Sequence, residues 1–131
     1  MEALVSKFTS QLEEALNIGK EAKLTVCNKD LRNVVITGLG GSGIGGTIVA
    51  QLVANEIVIP VIINTDYHLP NFVNENTLII ASSFSGNTEE TLAALLIAQE
   101  KGAEIACITS GGKILEIAKN NNYNHIVLPT E

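Results

Sequence analysis

The spacing of apolar residues along this chain changes character once, near residue 19. Ahead of that point, "LVSKFTSQLEEALNI" (4–18) sets Leu4, Phe8, Leu12 and Leu16 four apart with Val5 and Ile18 alongside. That is one apolar stripe on a helix, which Gly19 is expected to end. Beyond it the apolar blocks are short, β-branched and nearly unbroken: "NVVITGL" (33–39), "IPVIIN" (59–64), "NTLIIAS" (76–82), "EIACITS" (104–110) and "NHIVLP" (124–129). Strands buried on both faces have this composition, because neither face is reserved for water. Helical spacing separates the blocks over 45–55, 88–101 and 112–120, with Asn55, Gly102 and Asn120 to Asn122 as the closing signals.

Alternating strands and helices imply right-handed crossovers and a parallel sheet with helices on each side. The fold class is therefore α/β: three-layer αβα, with a five-stranded parallel doubly wound (flavodoxin-like) sheet and an extra N-terminal helix. No repeat, low-complexity tract or linker interrupts it, so residues 1–131 read as a single domain.

Composition narrows the function. At 131 residues and 46% hydrophobic content the chain suits one well-buried core. Eight basic and fourteen acidic residues give a net charge of −6 without a basic cluster, which argues against nucleic acid and anionic membranes as partners. No apolar run has the length of a spanning helix and no signal-peptide pattern opens the chain, so a cytoplasmic location is expected. Cys27 and Cys107 are isolated thiols in apolar surroundings, expected as reduced core residues. Nothing calls for a metal or a cofactor.

In a doubly wound sheet, ligands bind outside the carboxyl ends of the strands, where the strand order reverses. Three segments have that address: 38–46, 82–88 and 109–112. The first, "GLGGSGIGG", holds six glycines and Ser42 in nine residues. Glycine lets backbone N–H groups approach an anion closely beside the positive end of a helix. One or two glycines would suffice merely to seat a helix against a sheet. Gly38, Gly40 and Gly43 also satisfy G-x-G-x-x-G, with Asp66 as a candidate ribose partner, so a dinucleotide binder is an alternative. The gap to that acid is longer than usual for such a motif.

The second segment, Ser83-Phe84-Ser85-Gly86-Asn87-Thr88, decides between them. Ser83, Ser85 and Thr88 can each donate to a phosphate oxygen, and the helix that follows adds first-turn N–H groups. Gly86 permits the tight turn. Asn87 with Glu90 resembles a capping box, which accounts for one polar residue and not for four.

"SFSGNTEET" resembles the S-x-S-G-x-T signature of sugar isomerase (SIS) domains. "GLGGSGIGG", "TDYHLPNFV", "ITSGGKILEIA" and "KFTSQLEEAL" are similar to stretches of bifunctional phosphoglucose/phosphomannose isomerases, so the resemblance spans nearly the whole chain. It implies a phosphorylated sugar as ligand, with Ser42, Ser83, Ser85 and Thr88 around the phosphate, and Gly40, Gly41 and Gly43 shaping the loop by the sugar. It further implies a homodimer, and the first of two such domains in the full-length family. Thr47 departs from an acidic residue common at that place.

Aldose–ketose interconversion needs a base and a positive group at the enediolate oxygen. By resemblance these come from an arginine just past the fifth strand, then a glutamate and a histidine in a second subdomain, so no catalytic residue is expected within this chain. His68, His125, Glu89, Glu90 and Lys113 read as structural or solvated, and Asp66 and Tyr67 as capping the second strand. A non-catalytic phosphosugar sensor using the same cradle is the other alternative.

Overall fold

The computed structural model describes residues 2 to 130, with side-chain surroundings from residue 9 onward. Its elements run α1 (Glu2–Glu21), β1 (Asn33–Thr37), α2 (Gly41–Val53), β2 (Val61–Asn64), β3 (Thr77–Ser82), α3 (Glu89–Glu100), β4 (Glu104–Thr109), α4 (Gly112–Asn120) and β5 (Asn124–Val127). All five strands pair in parallel, in the order β2, β1, β3, β4, β5. This is the doubly wound order, with its switch point between β1 and β3.

Register assigns the strand residues to two faces. Val35 pairs with Ile79, and Ile79 with Ile105, so these three share a side of the pleat. Against them α3 and α4 bury Ala94, Leu95, Ala98, Ile114 and Ala118 completely. Covering side chains the size of Ile79, Leu95 and Ile114 contributes about 1.5–3 kcal/mol each. Both helices close with the signals expected of them. Gly102 takes φ 72 after α3, and Asn122 takes φ 57 after α4. The N–H groups of Ala103 and Tyr123 then reach back to the carbonyls of Ala98 and Ala118 at 3.1 and 2.9 Å, satisfying carbonyls that a helix end leaves open.

The opposite face differs from expectation. α2 covers β1 and β2 there, and does so closely, because a Cβ on Gly46 would sit 2.9 Å from Ile36 Cγ2 and 3.2 Å from Ile63 Cδ1. Beside α2, however, Leu78, Ile80, Ala106, Ile108 and Ile126 are only half-buried. The strands are thus covered fully on one side and partly on the other. The reason is the placement of α1, which runs on through Gly19 to Glu21. It turns Ser10, Gln11 and Glu14, with Ala15 and Ile18, toward a concavity of about 640 Å3 above Ile108 and Ile126. Its stripe residues Leu12 and Leu16 stay 53% and 59% exposed. Leu4, Val5 and Phe8, the rest of that stripe, lie outside the residues whose side chains are described.

Two further expectations need correction. Cys107 is a core residue and Cys27 is not: it is half-buried in the connection from α1 to β1, which Thr25 ties to Asn124 of β5. Helix α2 begins at Gly41, four residues ahead of the expected 45, so Ser42 and Gly43 belong to its first turn rather than to a loop.

Candidate functional site

The carboxyl ends of the strands carry buried polar residues, Thr37 on β1, Asn64 on β2, Ser83 just past β3 and Thr109 on β4, at a level where a sheet interior would place apolar ones. Asn64 donates from Nδ2 to Thr37 Oγ1 at 3.4 Å and to the Asp66 carbonyl at 3.1 Å. The Asn64 carbonyl accepts from Gly38 N–H at 3.1 Å. These bonds fix the loop after β2 beside the glycine segment.

Gly38 leaves β1 under tight constraint: a Cβ there would meet the Ser82 carbonyl oxygen at 3.0 Å and Ser42 Cβ at 3.2 Å. The glycine and serine segments therefore touch at the switch point. Gly40 then takes φ 56, a left-handed conformation that favours glycine, and acts as N-cap of α2 without any side-chain cap. The N–H groups of Ser42 and Gly43 donate to the Leu39 carbonyl at 3.1 and 3.3 Å. Those of Gly40 and Gly41 have no partner among the described residues, and both glycines are exposed with open space where a Cβ would be. The half-buried Ser42 hydroxyl is likewise unpartnered among the described residues. Gly43 is buried, and a Cβ on it would press on the Gly38 carbonyl at 3.2 Å, so its role is close packing within the turn. Thr47 donates back to the Gly43 carbonyl at 3.1 Å and is absorbed by the helix itself.

In the serine segment the expected hydroxyls divide into two kinds. Ser83 is 3% exposed, and its Oγ accepts from Gly86 N–H at 3.1 Å while lying 2.8 Å from Thr88 Oγ1. Its hydrogen bonds are made within the loop. Ser85 is exposed; its Oγ accepts from Asn87 N–H at 3.1 Å, which leaves its own proton free. Thr88 is half-buried and is the N-cap of α3, yet it makes no side-chain cap bond. Either hydroxyl of the Ser83–Thr88 pair can donate to the other; where Ser83 donates, the Thr88 proton is left for another acceptor. The hydroxyl protons of Ser42 and Ser85 are free among the described residues, Thr88 adds a third when Ser83 donates to it, and Ser83 is the pin that orders the turn.

The third segment buttresses the second. Ser110 N–H donates to the Phe84 carbonyl at 2.9 Å, and Ile114 N–H to the Gly86 carbonyl at 3.0 Å. Asn87 does not form the expected capping box with Glu90. Its Oδ1 accepts from Lys113 N–H at 3.0 Å, 26 residues away, and so joins the starts of α3 and α4. Gly86 has φ 76, and a Cβ there would fall 1.8 Å from the Gly111 carbonyl oxygen, so the two loops meet backbone to backbone.

Sequence reasoning assigned no ligand-side role to Tyr67. Its hydroxyl donates to Glu89 Oε2 at 3.4 Å, linking the β2 loop to the first turn of α3. Glu90 first, then loss of solvent and Glu89, push the phenol above its ordinary pKa, because phenolate would face two carboxylates. His68 is exposed, and His125 bonds locally to the Tyr123 carbonyl at 2.9 Å. Asp66 is engaged with Tyr67 N–H at 2.6 Å.

The 640 Å3 concavity borders the serine segment through Phe84 and is otherwise walled mainly by Ala15, Ile18, Ile108, Ile126 and Leu128, with Ser10, Gln11, Glu14 and Thr130 at its polar side. Mainly apolar walls beside a carboxylate suit an anion less well than open helix N–H groups, so size does not select the site here. Two uncapped helix starts and a cluster of hydroxyls thus stand together at the switch point of a doubly wound α/β domain, the place where such folds offer N–H donors to an anion.

Comparison with known proteins gives that class its family. The SIS domain model matches residues 29–130, so the chain belongs to the SIS domain family. It is 48% identical over 126 residues to the bifunctional phosphoglucose/phosphomannose isomerase of Caldicellulosiruptor bescii, covering 96% of this chain and 37% of that protein. Against the enzyme of the same name from Thermoplasma acidophilum it is 51% identical over 85 residues, covering 65% of this chain and 26% of the relative. A candidate phosphosugar isomerase from Clostridium difficile 630, solved by crystallography, superposes with a TM-score of 0.73 at 25% identity, covering 90% of this chain and 34% of its own. The chain thus spans well under half the length of the relatives it matches. Among the described residues, no helix is long and apolar enough to cross a membrane.

Proposed function

We propose that this chain is the phosphosugar-binding SIS domain of an isomerase that interconverts glucose 6-phosphate or mannose 6-phosphate with fructose 6-phosphate. The observation that carries this reading is the pair of uncapped helix starts at the β1/β3 switch point, with the Gly40 and Gly41 N–H groups on one side and the Ser85 and Thr88 hydroxyls on the other. A dianionic ester is the ligand such donors recognise. Each hydrogen bond from a neutral donor to a charged oxygen contributes about 1.5–3 kcal/mol, and the two helix dipoles act in the same direction. No basic side chain is needed. Homology to the phosphoglucose/phosphomannose isomerases selects a hexose phosphate among the possible esters.

The catalytic base and the enediolate-stabilising cation are assigned, by the same family likeness, to parts of the enzyme outside these residues, and the domain alone is expected to bind without efficient turnover. Its location is taken as the cytoplasm, in keeping with two free thiols. Self-association is expected through the uncovered stripe of α1, and light scattering reads it directly. Isothermal titration with glucose 6-phosphate, fructose 6-phosphate and inorganic phosphate tests the binding reading. Saturable heat with all three supports it; indifference to all three rejects it.

A further inference from the structure

Two carboxylates, Glu89 and Glu90, occupy the first turn of α3, the turn whose N–H groups are to receive the ligand. Carboxylates in that position favour folding back onto unpaired N–H donors. In this chain neither does. Glu89 is directed to the Tyr67 hydroxyl at 3.4 Å, across from the β2 loop. That loop is itself fixed beside the glycine segment, since Thr65 Cγ2 lies 3.7 Å from the place a Cβ on Gly43 would take. The contact therefore joins the wall that flanks the start of α2 to the residue following Thr88.

We propose that Glu89 is a built-in rival anion for the phosphate-binding turn of α3, and that Tyr67 is the positioning residue that holds it off. The inference rests on the phosphosugar reading of the site. With the phenol present, the carboxylate has a donor away from the helix axis and the first-turn N–H groups stay open to a phosphate. Without it, the carboxylate turns to the nearest unpaired donors, those of its own helix, and a ligand must displace it. The effect is competition within the molecule, so it lowers affinity without touching the ligand.

The test is titration of this chain with fructose 6-phosphate and with inorganic phosphate, in the wild type, Tyr67→Phe, Glu89→Gln and the double variant. Tyr67→Phe is expected to weaken both ligands about three- to tenfold, as loss of one hydrogen bond and exposure to one competing charge would do. In the Glu89→Gln background the same Tyr67→Phe change is expected to alter affinity less than twofold, because the carboxylate that bonds to the phenol at 3.4 Å is gone, while Glu90, the other acid facing Tyr67, is unchanged in all four proteins. A merely structural role for Tyr67 predicts equal losses in both backgrounds, and that result overturns the inference. So does a Tyr67→Phe variant that binds like the wild type. If the wild type binds neither ligand, the phosphosugar reading fails and this one with it, an outcome distinct from the first two.

Discussion

Replacing Gly86 by alanine strikes the contact that holds the serine segment in place. The residue has φ 76, and alanine in a left-handed conformation costs about 1–2 kcal/mol. The added methyl would also lie 1.8 Å from the Gly111 carbonyl oxygen and 2.7 Å from its carbon. That carbonyl cannot move freely, for it accepts from Thr109 Oγ1 at 3.0 Å and from Leu115 N–H at 3.4 Å. Relief must come from parting the two loops, which breaks the Ile114 to Gly86 and Lys113 to Asn87 hydrogen bonds at about 1 kcal/mol each. The sum is about 3–4 kcal/mol, or a fall of about 10–20 °C in melting temperature for a domain of this size. Gly102→Ala provides the comparison, because Gly102 has φ 72 but nothing within 4 Å of its Cβ position. It is expected to lose only the conformational part, about 1–2 kcal/mol. Urea unfolding followed by circular dichroism measures both. Equal destabilisation of the two variants would show that the loop contact contributes nothing, and the reasoning would fail.

Two other changes read other parts of the account. Ser83→Ala leaves the buried Gly86 N–H without its acceptor and removes the hydroxyl paired with Thr88, so a stability loss of about 1–3 kcal/mol is expected, together with weaker phosphate binding. Stability intact with binding lost would mean that Ser83 contacts the ligand itself. Burial pushes the Cys107 thiol up to about 11, so its folded state holds the proton more tightly than the unfolded chain does. Its contribution to stability is present below the thiol's ordinary value of 9.0 and is lost as pH rises from there toward 11. At pH 8, iodoacetamide is expected to label Cys27 in the folded protein and Cys107 only after unfolding, with mass spectrometry as the readout; rapid double labelling of folded protein contradicts the packing described here.

The strands were legible because β-branched blocks bounded by turn residues have few other uses, and all five came out in the expected places. The start of α2 was not, although α3 and α4 begin within a residue of the expected positions. Six glycines in "GLGGSGIGG" carry low helix propensity, yet Gly41 to Gly46 are helical because the absence of side chains lets α2 lie against Ile36 and Ile63. Packing outweighed propensity there; α1 also runs on through Gly19, which is exposed with open space around it, so close packing does not account for that one.

At the site, the sequence identified which hydroxyls gather but not which way they turn. Ser83 and Ser85 are alike as letters; the buried Gly86 N–H that follows them is what claims one and spares the other. Asn87 matched a local cap by spacing, whereas its partner lies on another helix, a contact that no local motif encodes. The same holds for Tyr67 and Glu89, which only the crossover from β2 brings together.

Amide chemical shifts during titration with fructose 6-phosphate test most directly whether neutral donors at the switch point hold the ester. The largest movements are predicted at Gly40, Gly41, Ser85, Thr88 and Glu89, saturating together. Shifts confined to Ala15, Ile126 and Leu128 around the apolar concavity, or no shifts at all, would contradict it.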